Sequence, residues 1–190
     1  MKSIRATVAV LTCLCLAVWA GADDKDKDKE KNEKKEHETA AAVLGKATVD
    51  LSKAIETAQA KLPTGKPIYA TTAQEDGKSL FEVYLLVGDS VTEVEIDAVT
   101  GVVAKVEENE NDEVENLADA KKVLAASKIT FAQAIATAKG KVEGGKPFEC
   151  EFEMEDGKSI IEVELLAGTK VMKVEIDAIS GKVMEVEEEK

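Results

Sequence analysis

The sequence has few of the side chains that build catalytic centres or metal sites. Its 190 residues include one histidine, three cysteines and one tryptophan, and aromatic residues make up 4% of the chain. The lone His37 has no cysteine or second histidine beside it. Zinc sites and histidine-dependent acyl transfer need more of these groups than the chain supplies. The sequence therefore predicts a non-enzymatic protein with no catalytic residues, no metal site and no cofactor.

Cysteine is scarce in a way that excludes a disulfide framework. Cys13 and Cys15 lie in the apolar N-terminal run, which leaves Cys150 alone in the remainder of the chain. One cysteine cannot form an intramolecular disulfide, so the fold must depend on its hydrophobic cores. Cys150 stands on the apolar side of a predicted strand. We expect a buried, inert thiol there.

Positive charge is also in short supply. The chain has 25 lysines and arginines against 38 aspartates and glutamates, a formal net charge of −13. Loss of Lys2 and Arg5 with an N-terminal signal would change this to −15. Such acidity argues against nucleic acids and anionic membranes as partners and favours basic proteins or cations.

The N-terminus has the features of an export signal. Lys2 and Arg5 precede an uncharged run over residues 6–20, and Ala20-Gly21-Ala22 is a small-x-small cleavage site. Fifteen residues fall short of the roughly 20 needed to span a membrane. We expect cleavage after residue 22 and a secreted or periplasmic protein that has no membrane contact afterwards. The charged residues 23–38 are predicted to form a disordered tether.

The remaining chain contains one unit twice. Residues 51–108 align with residues 131–188 at a constant offset of 80 without a gap, and 29 of these 58 positions are identical. Two such copies must share one fold. The acidic stretch over residues 107–115 separates them. We predict one module at residues 39–109 and a linker helix with a second module at residues 110–190.

Each copy reads as a helix followed by strands. In the second copy Thr130 and Gln133 form a capping box ahead of apolar residues at helical spacing, and Asp50 caps the helix of the first copy. A Gly-Lys-Pro segment then ends the helical pattern. Apolar and acidic residues alternate from Phe148 to Glu155, as expected for a half-buried strand. The sequence predicts an α+β fold in which one or two helices of each module pack on a four-stranded antiparallel sheet.

Short turns set the register of the predicted strands. A two-residue turn at Asp156-Gly157 places Phe152 opposite Ile161 and Phe148 opposite Leu165. A second turn at Gly168-Thr169 aligns the third strand so that its alternate apolar residues face the core together with those of the first two strands. A slip of one residue would bury glutamates instead. The register of the fourth strand stays open.

These residues resemble the PepSY domain, which occurs in peptidase propeptides. The resemblance is carried by Ile129-Thr130-Phe131 at the start of a helix, by the Gly-Lys linkers, and by the Asp-Ala-x-Ser/Thr-Gly turns at residues 97–101 and 177–181. It implies a small α+β module of exported proteins, for which binding or inhibition of secreted peptidases has been proposed. Both copies match this pattern.

Candidate binding residues lie on the sheet face opposite the helices, where the two copies differ. The first copy places Tyr69 opposite Tyr84, with Leu86 near them; the second places Glu149 opposite Glu164 and Glu151 opposite Glu162. The apolar face either packs against the second module or linker helix, or receives another protein. Glutamates facing one another are either a solubilising surface or a site for a cation or a basic partner.

The sequence thus predicts an exported binding protein, with a secreted peptidase as the partner implied by the resemblance. The alternative is an acidic envelope protein that binds cations or buffers protons. A structural spacer with neither activity is a third interpretation, and the oligomeric state is left open.

Overall fold

The computed structural model describes residues 23–114 and 116–189, and its side chains are described from Lys34 onward. Residues 34–190 form a compact unit. The predicted export signal lies outside the described residues. The elements follow one another as helix, helix and four strands, twice. This confirms the predicted α+β fold with tandem modules.

The first module contains α1 (Asp23–Leu44), α2 (Leu51–Lys61), β1 (Lys66–Glu75), β2 (Lys78–Val87), β3 (Ser90–Asp97) and β4 (Val103–Glu108). The second contains α3 (Leu117–Ala126), α4 (Phe131–Lys139), β5 (Lys146–Glu155), β6 (Lys158–Ala167), β7 (Lys170–Asp177) and β8 (Val183–Glu188).

Local sequence chemistry positions α2 and α4. The carboxylate of Asp50 accepts a hydrogen bond from the N–H of Lys53 at the start of α2. Thr130 and Gln133 form the complete capping box of α4. The buried residues of both helices recur at helical spacing, and α2 and α4 lie against the strands of their own modules. Alanines among them allow a close approach to the sheet.

The eight strands form one antiparallel sheet in the order β4-β3-β2-β1-β5-β6-β7-β8. The modules join where β1 pairs with β5, with Ala70 opposite Cys150 and Tyr69 opposite Glu151. Ala70 and Cys150 are equivalent under the 80-residue offset, so the two copies meet about an approximate local twofold axis. One continuous sheet therefore links both modules.

The two faces of this sheet differ chemically. The face that we call inner carries Ala70, Val83, Cys150 and Val163, and Phe152 on this face contacts Phe131 of α4 with ring centroids 4.7 Å apart. The opposite face, called outer, carries the tyrosines and glutamates identified from the sequence. Buried residues of both modules belong to a single hydrophobic cluster.

The strand registers agree with the predicted ones except at one position. Phe152 pairs with Ile161 across the Asp156-Gly157 turn, as predicted, but Leu165 pairs with Pro147 because a bulge falls at Phe148. The first copy has the same irregularity beside Pro67. Proline has no N–H to donate to the ladder, which explains why the regular pairing shifts next to it.

Residues 23–38 also differ from the sequence prediction. They belong to α1 rather than to an unstructured tether. Lysine and glutamate are good helix formers, and opposite charges spaced three or four residues apart favour the helix. At the other end of α1, Ala40 and Val43 are fully buried. Burial of these side chains anchors the helix to the folded unit.

Candidate functional site

The predicted tyrosine pair forms on the outer face, but it is not an open surface. Tyr69 and Tyr84 pair across β1 and β2, and their rings stack with centroids 5.4 Å apart. Tyr84 is only 5% exposed, and Leu86 beside it is partly buried against the core. Burial and neighbouring carboxylates raise the pKa of both tyrosines. Both phenols are therefore neutral hydrogen-bond donors at physiological pH.

Tyr69 lies at the junction of the two modules. Its hydroxyl donates to Oε2 of Glu149 at 3.2 Å, and the hydroxyl of Thr71 donates to the same oxygen at 2.8 Å. Tyr84 instead donates to Glu82 within its own module, at 3.1 Å. Tyr69, which lies on the apolar outer face of the first module, thus contacts the second module.

The glutamates of the second module face one another as the sequence predicts. Glu149 pairs with Glu164, and Glu151 pairs with Glu162, which also lies opposite Glu175 on β7. Glu162 is buried, with 6% exposure, and the other three of the predicted glutamates are half-buried. The facing carboxylates are therefore partly removed from water, which opposes their ionisation.

Their pKa values follow from this environment. Burial, together with the charges of Glu149 and Glu162, raises the pKa of Glu151 to about 8. Burial raises the pKa of Glu162 and that of Glu149 to about 7. For Glu149, hydrogen bonds from Thr71 and Tyr69 act in the opposite direction. Burial and the charge of Glu149 raise the pKa of Glu164 to about 9.

One lysine partly compensates this negative charge. Nζ of Lys173 lies 2.6 Å from Oε2 of Glu162 and 3.8 Å from Oε1 of Glu175. Burial lowers the pKa of Lys173, but these carboxylates outweigh burial and raise it overall. The first module has Glu93 at the equivalent position, and burial and the charge of Glu82 raise its pKa to about 8. Glutamates with raised pKa values therefore occur on the outer face of both modules.

Cys150 lies on the inner face at the module junction. It is fully buried, and burial together with the charges of Glu151 and Glu149 raises the pKa of its thiol well above the usual value. A thiol in these surroundings stays protonated and is a poor nucleophile.

The structure brings together a group of residues that no pattern in the sequence connects. His37 of α1 lies beside Glu164 and beside Glu189, the residue after β8. The charged composition of residues 23–38 had suggested a tether, so no signal placed His37 near the sheet.

The two outermost strands, β4 and β8, form the free edges of the sheet. Their side chains are almost all exposed. Within the part of the chain that the structure describes, every exposed large hydrophobic side chain belongs to these strands or to the turn before each: Val99, Val102, Val106, Ile179, Met184 and Val186. In β4, Lys105 contacts Glu95 and Glu107, whereas β8 has Glu185 at the equivalent position.

Among the described residues, no helix is both long and apolar enough to cross a membrane.

Comparisons with known proteins agree with the repeat. A crystal structure from Clostridium difficile 630, described as that of a lipoprotein, is 19% identical with a TM-score of 0.43, and the match covers 75% of this chain and 95% of that chain. The C-terminal domain of Bacillus megaterium YpeB is 15% identical with a TM-score of 0.29, covering 76% and 67%. No curated protein matches the chain.

The sequence model of PepSY, the peptidase propeptide and YPEB domain, matches residues 48–107 and residues 128–187. These segments contain α2 with β1–β4 and α4 with β5–β8, and together they make up more than half of the chain. The chain therefore belongs to the PepSY family, with two tandem copies of its domain.

Proposed function

We propose that this chain is an exported, non-enzymatic protein that binds another protein through the free edge of β8. The partner in this proposal is a secreted peptidase, and the support for that choice is the family description, which names peptidase propeptides. The observation that carries this proposal is the gathering of exposed apolar side chains on the edge strands and the turns before them. Exposed apolar groups beside unpaired backbone groups favour the addition of a strand from a partner.

The backbone of β8 is suited to such pairing. The N–H of Glu189 donates to the carbonyl of Val171 at 3.0 Å, so amides two residues apart point towards β7. The intervening amides of Val186 and Glu188 therefore point away from the sheet. An extended segment that lies beside β8 would satisfy them.

The negative charge along β8 favours this edge over β4 as the binding edge and indicates that the partner strand is basic. Glu185, Glu187 and Glu188 flank Val186, and Lys170 of β7 pairs with Glu188. In β4 a lysine, Lys105, replaces the glutamate at position 185 and pairs with Glu95 and Glu107, so β4 carries less negative charge than β8. A partner strand with alternating basic and apolar residues would complement β8. Such a contact weakens as salt is added, because salt screens exposed charges.

Proline substitution tests this proposal directly. Val186→Pro removes an outward-facing N–H and leaves the hydrogen bonds to β7 intact. The equivalent Val106→Pro in β4 is the matched control. The exported chain is titrated against purified secreted peptidases of its source, and complex formation and peptidase rate are measured.

We expect a complex that Val186→Pro weakens at least tenfold and Val106→Pro leaves within twofold. Far-UV circular dichroism and thermal unfolding verify that both variants fold. The charge reversal Glu187→Lys gives a second measurement, since it keeps the backbone donor. Absence of any complex, or equal loss in both proline variants, would refute binding at β8.

The outer face supports a second candidate function, the binding of cations or protons. Its carboxylates have pKa values raised to between about 7 and about 9, within reach of physiological pH. Calorimetry with Ca²⁺ separates this function from protein binding. Heat that disappears in Glu151→Gln and Glu162→Gln supports it, and absence of heat removes it.

A further inference from the structure

Three side chains from distant parts of the chain meet at one end of the outer face. Nε2 of His37 lies 3.0 Å from Oε2 of Glu189 and 3.9 Å from Oε2 of Glu164. One nitrogen or oxygen atom from each residue lies within 4.8 Å of the other two. The imidazole also packs edge-on against Phe148, with ring centroids 6.1 Å apart.

His37 and Glu189 lie within ion-pair distance of each other. Oε2 of Glu189 is buried and accepts no hydrogen bond, although Nε2 is within reach of it. The two atoms are therefore close without being directed at each other.

The distances suit a small tetrahedral ion. Zinc binds histidine nitrogen and carboxylate oxygen at about 2.0–2.2 Å, which places neighbouring ligand atoms roughly 3.3 Å apart. The separations of 3.0 Å and 3.9 Å lie on either side of this value. Small movements of the side chains would equalise them.

The local charge also favours a cation. Burial and the charges of Glu149 and Glu189 raise the pKa of Glu164, and burial and the charges of Glu36 and Glu189 raise the pKa of Glu149. Lys173, the lysine that opposes this charge at Glu164, is engaged with Glu162 at 2.6 Å. A divalent ion would supply the missing positive charge.

We propose that His37, Glu164 and Glu189 bind a divalent transition-metal ion, with Zn²⁺ as the best fit to one imidazole and two carboxylates. Calcium and magnesium prefer sets made entirely of oxygen, so the imidazole selects against them. A water molecule completes the coordination. The ion ties α1 to β6 and to the end of β8 and has a structural role.

The other copy of the repeat provides an internal comparison for the proposed metal site. Under the 80-residue offset the equivalent positions are Leu117 of α3 and Tyr84 and Asn109 of the first module, which offer no comparable set of ligands. The site is therefore specific to the interface of α1 with the second module, and one ion per chain is expected.

Calorimetry with ZnCl₂ tests the site, using the metal-stripped exported chain in millimolar Ca²⁺ and Mg²⁺ to occupy non-specific carboxylates. The unaltered protein should bind one Zn²⁺ and show a higher Tm. His37→Gln and Glu189→Gln should each weaken binding at least tenfold, whereas Glu187→Gln removes a nearby exposed charge and should leave it within twofold.

A spectroscopic measurement accompanies calorimetry. Co²⁺ in place of Zn²⁺ should give the visible absorption of a tetrahedral ion, and His37→Gln should abolish that absorption. Far-UV circular dichroism establishes that the variants are folded. Absence of Zn²⁺ binding, or binding of equal affinity in His37→Gln, would overturn the proposal.

Discussion

The hydroxyl group of Tyr69 is one of the contacts between the two modules. It donates to Oε2 of Glu149 at 3.2 Å, and Thr71 donates to the same atom. A hydrogen bond to a charged group contributes about 1.5–3 kcal/mol, and the second donor reduces the cost of losing one. We expect Tyr69→Phe to lower the free energy of unfolding by about 1–2 kcal/mol, as measured by urea denaturation at pH 8.

Tyr84→Phe is the matched control for that variant, because its hydroxyl contacts Glu82 and not Glu149. The hydrogen bond from Tyr69 lowers the pKa of Glu149, so Tyr69→Phe should raise this pKa and Tyr84→Phe should leave it unchanged. An NMR titration of the Glu149 carboxyl carbon distinguishes the two. Equal shifts in both variants would contradict the geometry.

The glutamates of the outer face determine how stability depends on pH. Burial raises the pKa of Glu151 in the folded state to about 8, from about 4.3 in an unfolded chain. Between these values the folded state holds a proton that the unfolded state releases, so stability falls as pH rises. The favourable contribution is complete below pH 4.3 and is lost as pH passes 8.

Glu151→Gln removes this titration. We expect the variant to match the unaltered protein near pH 5 and to exceed its free energy of unfolding by roughly 1 kcal/mol at pH 8.5, allowing for the partial exposure of Glu151. Glu108→Gln removes one charge at an exposed position of β4 and should not flatten the pH profile. Urea denaturation from pH 5 to pH 9 measures the free energy of unfolding of both variants and of the unaltered protein. If the profile of Glu151→Gln ran parallel to that of the unaltered protein, the expected burial of Glu151 would be contradicted.

At the scale of elements, the capping box of α4 gives a direct test of local sequence chemistry. The N–H of Gln133 donates to Oγ1 of Thr130, and Oε1 of Gln133 accepts from the N–H of Thr130 at 2.9 Å. Thr130→Ala removes one side of this exchange and should cost about 1 kcal/mol. Chemical denaturation measures the change.

Thr137→Ala in the same helix is the control. The Thr137 hydroxyl donates back to the carbonyl of Gln133 inside the helix, where alanine has the higher helix propensity. This variant should be neutral or slightly stabilising. Equal losses in the two variants would show that the cap makes no separate contribution.

Elements governed by local chemistry could be predicted from the sequence. The Asp156-Gly157 turn has φ values of 48° and 75°, which the Asp-Gly pair accommodates, and it sets the predicted register of β5 with β6. The bulge at Phe148 was missed, because alternation alone does not show that Pro147 interrupts the ladder. The helical state of residues 23–38 was missed because their composition carries no apolar stripe.

The candidate site depended on contacts that no local pattern encodes. Pairing within each module predicted that Glu149 faces Glu164, but the pairing of β1 with β5 brings Tyr69 and Thr71 to Glu149. The approach of α1 brings His37 to Glu164 in the same way. Whether two modules share a sheet depends on which edge strands pair with each other. The alternation of apolar and polar residues shows only which face of a single strand is buried.

At the scale of the whole molecule, the shared sheet predicts that both modules unfold together. Residues of both belong to one hydrophobic cluster, and β1 and β5 pair at its centre. Residues 23–190 carry a separate probe in each half, because both tyrosines lie in the first module and Cys150 lies in the second. Tyrosine fluorescence and thiol labelling should therefore report one transition with the same midpoint in urea.

A core truncation makes this test sharper. Ile55 in α2 is 3% exposed, and Ile55→Ala should cost about 2–5 kcal/mol through lost burial and the cavity left behind. Because the modules share their central strands, this change in the first module should shift the labelling of Cys150 as far as it shifts tyrosine fluorescence. Ile135→Ala, at the equivalent position of α4, should shift both probes in the same way. A shift confined to the mutated half would mean that the two copies fold independently in spite of their common sheet.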